Sequence, residues 1–270
     1  MSRGTLLSVL RRRMRRLASP ANRTILREMV RANIKASDYH SLLGGMWSLV
    51  GTAAMLAALY LVFSRQFGQG LRSYPLYLLV GIILVNFFIT ATSTLLKVLI
   101  FNRDIALNSM IPRENLVLAT ISINAWKLGI ELLLCTIVSL AQGLYGWKSV
   151  LCFLPLLTAF LALVLGIGLA LSLLYCFARD VEHVWAIFSR LFLFITPVFY
   201  TVETLSPSMR TLILWLNPLT PFLEAFRAVF LRHGALPLLR LGHCLLLGTA
   251  AMAASYLLFL RWEGAALDRT

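Results

Sequence analysis

The chain has 270 residues, of which 59% are hydrophobic and 13% are charged, with a mean hydropathy of +0.81. Soluble domains carry about 25% charged residues, so the composition excludes an ordinary soluble fold and predicts an all-α, multi-pass membrane protein. The net charge is +14, but ten of the 25 basic residues lie between Arg3 and Lys35 and most others flank apolar runs. This distribution is typical of contact with anionic membrane lipids and argues against a nucleic-acid partner.

Residues 1–45 form a predicted cytoplasmic basic segment. In residues 1–19, arginines alternate with leucines, and two interpretations stay open: an amphipathic segment on the cytoplasmic leaflet or a disordered basic tail. No apolar run follows these arginines, so a cleaved signal peptide is not expected. The stretch Ala21–Ser41 is also amphipathic and predicts an interfacial helix, with Asn22 as a candidate cap.

Six apolar windows are about 20 residues long, the length that a helix needs to cross hydrocarbon. The predicted spans are Met46–Ser64, Tyr74–Leu96, Leu116–Leu144, Val150–Phe177, His183–Tyr200 and Leu241–Leu260. They define a membrane domain over residues 46–262, followed by a tail at 263–270. With the N-terminus inside, 16 basic residues lie on the inner side and seven on the outer side, so both termini are expected in the cytoplasm.

The stretch Thr196–Leu231, between the fifth and sixth spans, is apolar but contains four prolines. Proline removes a backbone donor and clashes with the preceding turn, so one continuous spanning helix is not expected. Non-helical backbone at membrane depth must be covered by protein or by water. The pattern therefore predicts two re-entrant half-helices between helices 5 and 6, and a hydrophobic surface loop is the alternative.

Three charged residues fall inside predicted spans, where charge is costly. Lys127 and Glu131 are four residues apart and share a helix face, which predicts an intramembrane ion pair; a proton relay is the alternative. Arg190 has no acidic residue one turn away. It either extends toward the cytoplasmic side or faces a wet conduit, and both possibilities stay open.

The sequence has neither the residue spacing of a metal site nor a complete ATP-binding motif. The four cysteines and four histidines show no metal-ligand spacing, so no metal site is expected. The stretch 143–149 comes nearest to a phosphate-binding loop, but a tryptophan separates its second glycine from the lysine. We therefore expect a chain that is not an enzyme, with no catalytic residues and no cofactor of its own.

Six short motifs occur in a fixed order along the chain. They are S-x-L-G-x-x-W at Ser41–Trp47, S-Y-P-L-Y-L at Ser73–Leu78 with Gly81, I-P-R at Ile111–Arg113, A-R-D-V at Ala178–Val181, T-P-V-F-Y at Thr196–Tyr200, and L-N-P-L at Leu216–Leu219 followed by Arg227. Over residues 30 to 260 the chain resembles the permeases of polysaccharide-exporting ABC transporters, which serve O-antigen (lipopolysaccharide), capsule, and teichoic acid or polyol phosphate. Residues 1–19, Arg190 and the short loop Arg65–Ser73 depart from the family pattern.

The resemblance implies a permease subunit in the bacterial cytoplasmic membrane that exports a lipid-linked polysaccharide or polyol-phosphate polymer. It further implies a homodimer with the path between two copies, and two copies of a separate ATPase that binds ATP and Mg²⁺. The loop after the second span is the candidate coupling segment, with a smaller contact in the loop before the fifth span. The predicted coupling residues are Asn102, Arg103, Asp104, Ile111, Pro112, Arg113, Arg179 and Asp180.

Aromatic and polar residues around the proline-rich stretch are candidates for the substrate path. The predicted residues are Arg190, Phe199, Tyr200, Trp215, Asn217, Pro218 and Arg227. An ordinary interfacial aromatic belt is the alternative. Two rival functions stay open. A type-2 ABC exporter for a drug or small lipid has the same topology, and an ion-coupled secondary transporter is a rival from another class. The second rival predicts repeated halves and unpaired intramembrane carboxylates, and we find neither in the sequence.

Overall fold

The structure is a computed structural model that describes residues 13, 15–38, 46–68, 73–108, 111–144, 147–231 and 236–267. These residues form eleven α-helices: α1 (Pro20–Asp38), α2 (Trp47–Phe67), α3 (Tyr74–Leu96), α4 (Val98–Phe101), α5 (Arg103–Asn108), α6 (Arg113–Ala141), α7 (Trp147–Phe177), α8 (Val181–Ile195), α9 (Pro207–Leu216), α10 (Leu219–Leu231) and α11 (Leu238–Leu267). A 3₁₀ turn covers Val202–Thr204. Most of the Arg-rich segment 1–19 and most of the motif Ser41–Trp47 lie outside the described residues.

Within the described part of the chain, five helices are long and apolar enough to cross a membrane. They are α2, α3, α6, α7 and α11, and each begins within three residues of a predicted span. The predicted all-α membrane fold is therefore confirmed at this level. Length and hydropathy are local properties of the sequence, which is why these five spans were predictable.

The fifth predicted span, His183–Tyr200, differs from the observed helix. Helix α8 has 15 residues and ends at Ile195. At 1.5 Å per residue it is about 22 Å long, which is less than the hydrocarbon thickness of about 30 Å. The physical reason is Pro197, because a residue before proline avoids the helical region. Thr196 is accordingly extended, with φ −77° and ψ 133°.

Two short helices follow, as the four prolines predict. Helix α9 has ten residues, begins at Pro207 and has no buried residue, whereas ten of the 13 residues of α10 are buried. The turn Asn217-Pro218 separates them. Three phenylalanines spaced by four residues on α10 pack against rings of α7, so this short helix is part of the core: Phe222, Phe226 and Phe230 against Phe153 and Phe160.

Helix α3 lies at the centre of the helix bundle, with 72% of its apolar window buried. Helices α7 and α11 approach closely through glycines: a Cβ added at Gly248 would lie 2.1 Å from the carbonyl oxygen of Ala159. Small residues are typical of close helix contacts in membranes. Helix α2 is peripheral, since only 6% of its window is buried and Thr52 is its one buried residue.

The predicted amphipathic helix before the first span is observed as α1. Its start differs from the expectation, because the Oγ of Ser19 accepts a hydrogen bond from the Asn22 N–H at 3.3 Å and Pro20 opens the helix. Proline suits the first helical position, so Ser19 provides the cap. The Asn22 side chain is buried and exchanges hydrogen bonds with Asn115 of α6 at 3.2 and 2.7 Å, which fastens α1 to the bundle.

Candidate functional site

In the non-helical segment Thr196–Tyr200, the backbone carbonyls after Thr196 are satisfied by side chains from α3 and α10. The hydroxyl of Tyr74 donates to the carbonyl of Phe199, and the hydroxyl of Tyr77 donates to that of Tyr200, both at 2.8 Å. The Tyr200 hydroxyl donates to the carbonyl of Ile195 at 3.1 Å and so covers the end of α8. Unpaired backbone groups are costly away from water, so these bonds allow the helix to break here.

Arg227 of α10 binds the middle of the same segment. Its Nη1 donates to the carbonyl of Pro197 and its Nη2 to that of Val198, each at 2.8 Å. Nη1 also donates to the hydroxyl of Tyr77 at 2.7 Å and to Glu224 at 3.1 Å. The guanidinium lies over the Tyr77 ring, with its Cζ 3.4 Å from the ring centroid. We call Tyr74, Tyr77 and Arg227 the carbonyl clamp.

Gly81 provides the space that the carbonyl clamp needs. A Cβ at this position would lie 3.1 Å from both the Arg227 Nη2 and a methyl group of Val198. That distance is tighter than an ordinary side-chain contact, so a larger residue would push against the guanidinium. The glycine in the second-span motif therefore has a packing role.

Asn217 lies at the turn between α9 and α10 and ties this turn to Thr196, directly after α8; we call residues Thr196–Leu231, which include α9 and α10, the hairpin. Its Nδ2 donates to the Oγ1 of Thr196 at 2.8 Å, and its Oδ1 accepts from the Leu219 N–H at 2.9 Å, at the start of α10. Both Asn217 and Thr196 are buried. Pro218 is half-buried in the turn between α9 and α10.

Arg227 and Asn217, which are predicted to line a substrate path, are held by groups of the protein itself. Arg227 is 3% exposed and Asn217 is 2% exposed, and the polar groups described above hold both side chains. The physical reason is the break at Pro197, which leaves carbonyls that need donors, and Arg offers five N–H donors in a fixed fork. In this structure the two residues shape the hairpin, and their place on a substrate path stays a prediction.

The other predicted path residues are more accessible. Phe199 and Tyr200 are half-buried, and the Phe199 ring stacks on Phe63 of α2 with centroids 4.5 Å apart. Trp215, on α9, is 85% exposed. Arg190 is exposed on α8. The structure thus brings Phe199 and Tyr200 together with the buried pair and leaves Trp215 and Arg190 on outer faces.

The predicted coupling loop lies at the opposite end of α3, about 33 Å from the carbonyl clamp at 1.5 Å per residue. It forms the short helices α4 and α5. Arg103 and Asp104 are exposed at the start of α5, and Phe101 beside them is 78% exposed. Asn102 turns inward to bond the Val98 carbonyl at 2.9 Å. Ile111 and Pro112 are half-buried, and α6 begins directly after Pro112.

Arg113, the last residue of the predicted loop, belongs to an ionic cluster that joins three segments. It lies 3.3 Å from Glu263 of α11, and Arg13 pairs with both Glu263 and Glu114. The hydroxyl of Tyr256 donates to Glu114 at 3.1 Å. The cluster therefore links the N-terminal basic segment, the start of α6 and the end of α11.

A second polar link connects the ends of α3 and α7 with the start of α8. Lys97 forms an ion pair with Glu182, and the hydroxyl of Tyr175 donates to the same carboxylate at 3.0 Å. Arg179 and Asp180 are exposed beside this link, and the Arg179 guanidinium lies 5.4 Å from the Tyr175 ring centroid.

The predicted ion pair between Lys127 and Glu131 differs from the observed contacts. Among the ion pairs within the described residues, none joins these two side chains. The buried Glu131 carboxylate instead accepts a hydrogen bond at 3.0 Å from Thr52, the one buried residue of α2. This hydroxyl comes from the neighbouring helix α2. Lys127, which is on the same helix as Glu131, is only half-buried. No potential metal-binding group of His, Cys, Asp or Glu occurs in the described part of the chain.

Sequence reasoning missed the tyrosines of the carbonyl clamp and the ionic cluster around Glu263. Tyr74, Tyr77 and Gly81 stand in a recognised motif, but nothing in the local pattern says that they contact residues more than 100 positions away. The available signal was chemical: a proline break at membrane depth requires hydrogen-bond donors, and tyrosine hydroxyls and an intramembrane arginine supply them. The ionic cluster had no comparable signal.

Comparison with known proteins gives consistent matches. The family model described as ABC-2 type transporter matches residues 26–231. The O-antigen export system permease protein RfbA of Myxococcus xanthus is 25% identical over 212 residues, which cover 78% of this chain and 82% of that protein. A protein of the same name from Klebsiella pneumoniae is 24% identical over 205 residues, covering 74% and 77%. The matched region includes the carbonyl clamp and the loop with α4 and α5.

Proposed function

Because the chain belongs to the ABC-2 type transporter family, we propose that it is the membrane permease subunit of an ABC exporter that carries a polysaccharide out of a bacterial cytoplasm. The observation that carries the proposal is the similarity to O-antigen export permeases over about three quarters of the chain. The all-helical membrane fold is consistent with it. The substrate is a polymer attached to a lipid carrier, either a polysaccharide or a polyol phosphate.

In this proposal the chain crosses the cytoplasmic membrane six times, with α8 as a short fifth span and both termini inside. The excess of basic residues at one side supports this orientation. Helices α9 and α10 re-enter from the outer side, supported by their lengths of ten and 13 residues, which are too short to span. The hairpin then lies where a polymer leaves the transporter.

The energy comes from a partner. Two copies of an ATPase subunit, which hold ATP and Mg²⁺, bind two copies of this chain. We assign the main docking contact to the loop with α4 and α5 and a second contact to Arg179 and Asp180. The exposed side chains of Phe101, Arg103 and Asp104 support this assignment, since solvent-facing residues on a short helix are free to meet a partner surface.

Movement of the loop has a route to the hairpin. Helix α3 contacts α8 through Lys97 and Glu182 at one end, and contacts the segment after α8 through Tyr74 and Tyr77 at the other. When ATP closes the ATPase pair, a push on α4 and α5 shifts α3 and α8 together. A ligand drives such a change only through different affinities for the two states, so the closed ATPase dimer must bind the shifted loop more tightly.

The experiment is export in a bacterium that lacks its own polysaccharide permease. We expect polymer on the cell surface only when this chain and its ATPase are co-expressed. The double variant Arg103→Ala/Asp104→Ala should leave the chain in the membrane but lower ATPase co-purification and export about tenfold, which corresponds to losing about 1.4 kcal/mol of contact.

The matched control is Ser208→Ala/Met209→Ala, which changes two exposed residues of α9 on the far side of the predicted membrane. It should leave ATPase co-purification unchanged. Normal assembly and export in the Arg103/Asp104 variant would remove the coupling assignment. No surface polymer with the wild-type pair, while the complex forms, would contradict the polysaccharide as substrate.

A further inference from the structure

A cavity of about 490 Å³ lies where the end of α2 meets the start of α3. It is lined by Tyr60 and Ser64 of α2, by Ser73 and Tyr74 at the start of α3, and by Gln142 after α6. Small-molecule sites in proteins have volumes of about 300–1,000 Å³, so the space suits a small ligand. Neither the predicted substrate path nor the coupling loop includes these residues.

The hydroxyl of Ser73 is the first sign that the cavity binds a ligand. Ser73 is 7% exposed, and its Oγ has no hydrogen-bond partner. It directly precedes α3 but makes no side-chain capping bond. Buried hydroxyls are nearly always bonded, so this one requires a partner that the described residues do not supply.

The remaining polar groups in the wall are also available. Among the side-chain hydrogen bonds of the described residues, none is formed by Tyr60, Ser64 or Gln142. Together with Ser73 they give three hydroxyls and one amide around one space. A hydroxyl both donates and accepts, and an amide offers two donors and an acceptor. This set can bind a ligand that carries several hydroxyl groups.

The described part of the wall also has two aromatic rings. The ring centroids of Tyr60 and Tyr74 are 6.3 Å apart with an interplanar angle of 38°. The described residues that line the cavity include no Lys, Arg, Asp or Glu. An uncharged ring with C–H faces and hydroxyl edges matches aromatic faces next to hydroxyls and an amide.

We propose that this cavity is a binding subsite for one neutral sugar unit. The inference rests on the proposed function, because it takes the ligand to be a residue of the exported polymer. Its position gives the site a purpose: the Tyr74 ring lines the cavity, while the Tyr74 hydroxyl holds the Phe199 carbonyl of the hairpin. A sugar in the subsite lies one side chain away from the segment Thr196–Tyr200 and guides the chain past it.

The test measures sugar binding to the full permease–ATPase complex in lipid nanodiscs by saturation-transfer NMR. The probes are glucose, galactose, mannose and N-acetylglucosamine, with glycerol and glucose 6-phosphate as comparison compounds. We expect at least one neutral sugar to bind, and the phosphorylated sugar not to bind. Ser73→Ala and Gln142→Ala should each weaken binding about three- to tenfold, the effect of losing one hydrogen bond.

Two matched controls separate binding from folding. Ser189→Ala removes another buried hydroxyl without a partner, and Gln66→Ala removes an exposed amide on α2; neither residue lines the cavity. Both should bind the sugar as the wild type does. Ser73→Ala should not lower the thermal unfolding temperature, because the hydroxyl that it removes has no partner within the protein.

The subsite is overturned if no neutral sugar binds the wild type, or if binding is the same in Ser73→Ala and Gln142→Ala. The proposed function is judged separately, by polymer on the cell surface. Export by a wild-type complex that binds no sugar in this cavity removes the subsite and leaves the exporter assignment. Sugar binding that depends on Ser73, without any surface polymer, supports the subsite and contradicts the proposed export.

Discussion

At the scale of single residues, Arg227 shows how a charge can be buried for structural reasons. The sequence marks it as an exception, since basic residues are rare on the side of the membrane assigned to the hairpin. In the structure its donors meet two carbonyls that the break at Pro197 leaves without helical partners. Charged donors form stronger hydrogen bonds than neutral ones, so the arginine compensates for the broken helix.

Replacing Arg227 with Met keeps an unbranched apolar stem, although a shorter one, and removes every donor. The carbonyls of Pro197 and Val198 then stay buried without partners, and we expect the folded state to lose about 3 kcal/mol. The four native cysteines are all buried, so a thiol-reactive dye reports unfolding as the temperature rises. The unfolding temperature of Arg227→Met should fall by several degrees.

Arg210→Met is the matched control, because Arg210 is exposed on α9. It should unfold at the wild-type temperature. Arg227→Met could instead unfold at the wild-type temperature and abolish export. That result would contradict a stabilising role of Arg227 in the carbonyl clamp and would support its role in the substrate path.

At the scale of elements, the sequence predicts what depends on neighbours along the chain. Five long helices begin within three residues of the predicted apolar windows, and the prolines at 197, 207 and 218 mark the breaks between α8, α9 and α10. It does not predict which helices meet. The contacts of Tyr77 with Tyr200 and of Arg13 with Glu263 join residues 123 and 250 positions apart, and these depend on packing of the whole bundle.

The close contact between α7 and α11 leaves no space for a larger residue at Gly248. Gly248→Ala would place a methyl group 2.1 Å from the Ala159 carbonyl oxygen, so the helices must separate. Overpacking of this kind costs about 1–3 kcal/mol, and the cysteine-dye unfolding temperature should fall accordingly.

Gly242, on the same helix, has open space where its Cβ would be. Gly242→Ala should therefore be neutral or slightly stabilising, since alanine favours a helix by about 1 kcal/mol over glycine. Equal unfolding temperatures for the two variants would show that α7 and α11 do not pack as closely as described.

At the scale of the whole molecule, two sparsely buried helices, α2 and α8, flank the hairpin. Helix α2 has one buried residue, and α8 exposes Val184, Ile187, Phe188, Leu191, Phe194 and Ile195. Both touch the segment Thr196–Tyr200, α2 through Phe63 and Phe199, and α8 through direct continuation. Apolar exposure suits contact with lipid as well as with protein, so exposure alone does not identify a partner.

The proposed substrate path between two copies of the chain indicates which exposed helices face the second copy. A polymer that passes between permeases must pass beside the hairpins, so α2 and α8 should face the second copy, while α11 packs on α7 at the other side. Most homodimers are two-fold symmetric, and equivalent residues near the axis lie close together. We therefore expect single cysteines at Leu61→Cys and Ile187→Cys to be joined between copies by a short bismaleimide in membranes.

Leu246→Cys on α11 is the control, because Leu246 is 69% exposed, comparable to 79% for Leu61 and 60% for Ile187. The native cysteines are buried and should not react in the folded protein, so the wild type gives the background. Lipid-facing positions should label with a monofunctional maleimide but form no cross-link. Cross-linking at Leu246 with none at Leu61 and Ile187 would place the second copy on the opposite face and remove the path from beside the hairpins.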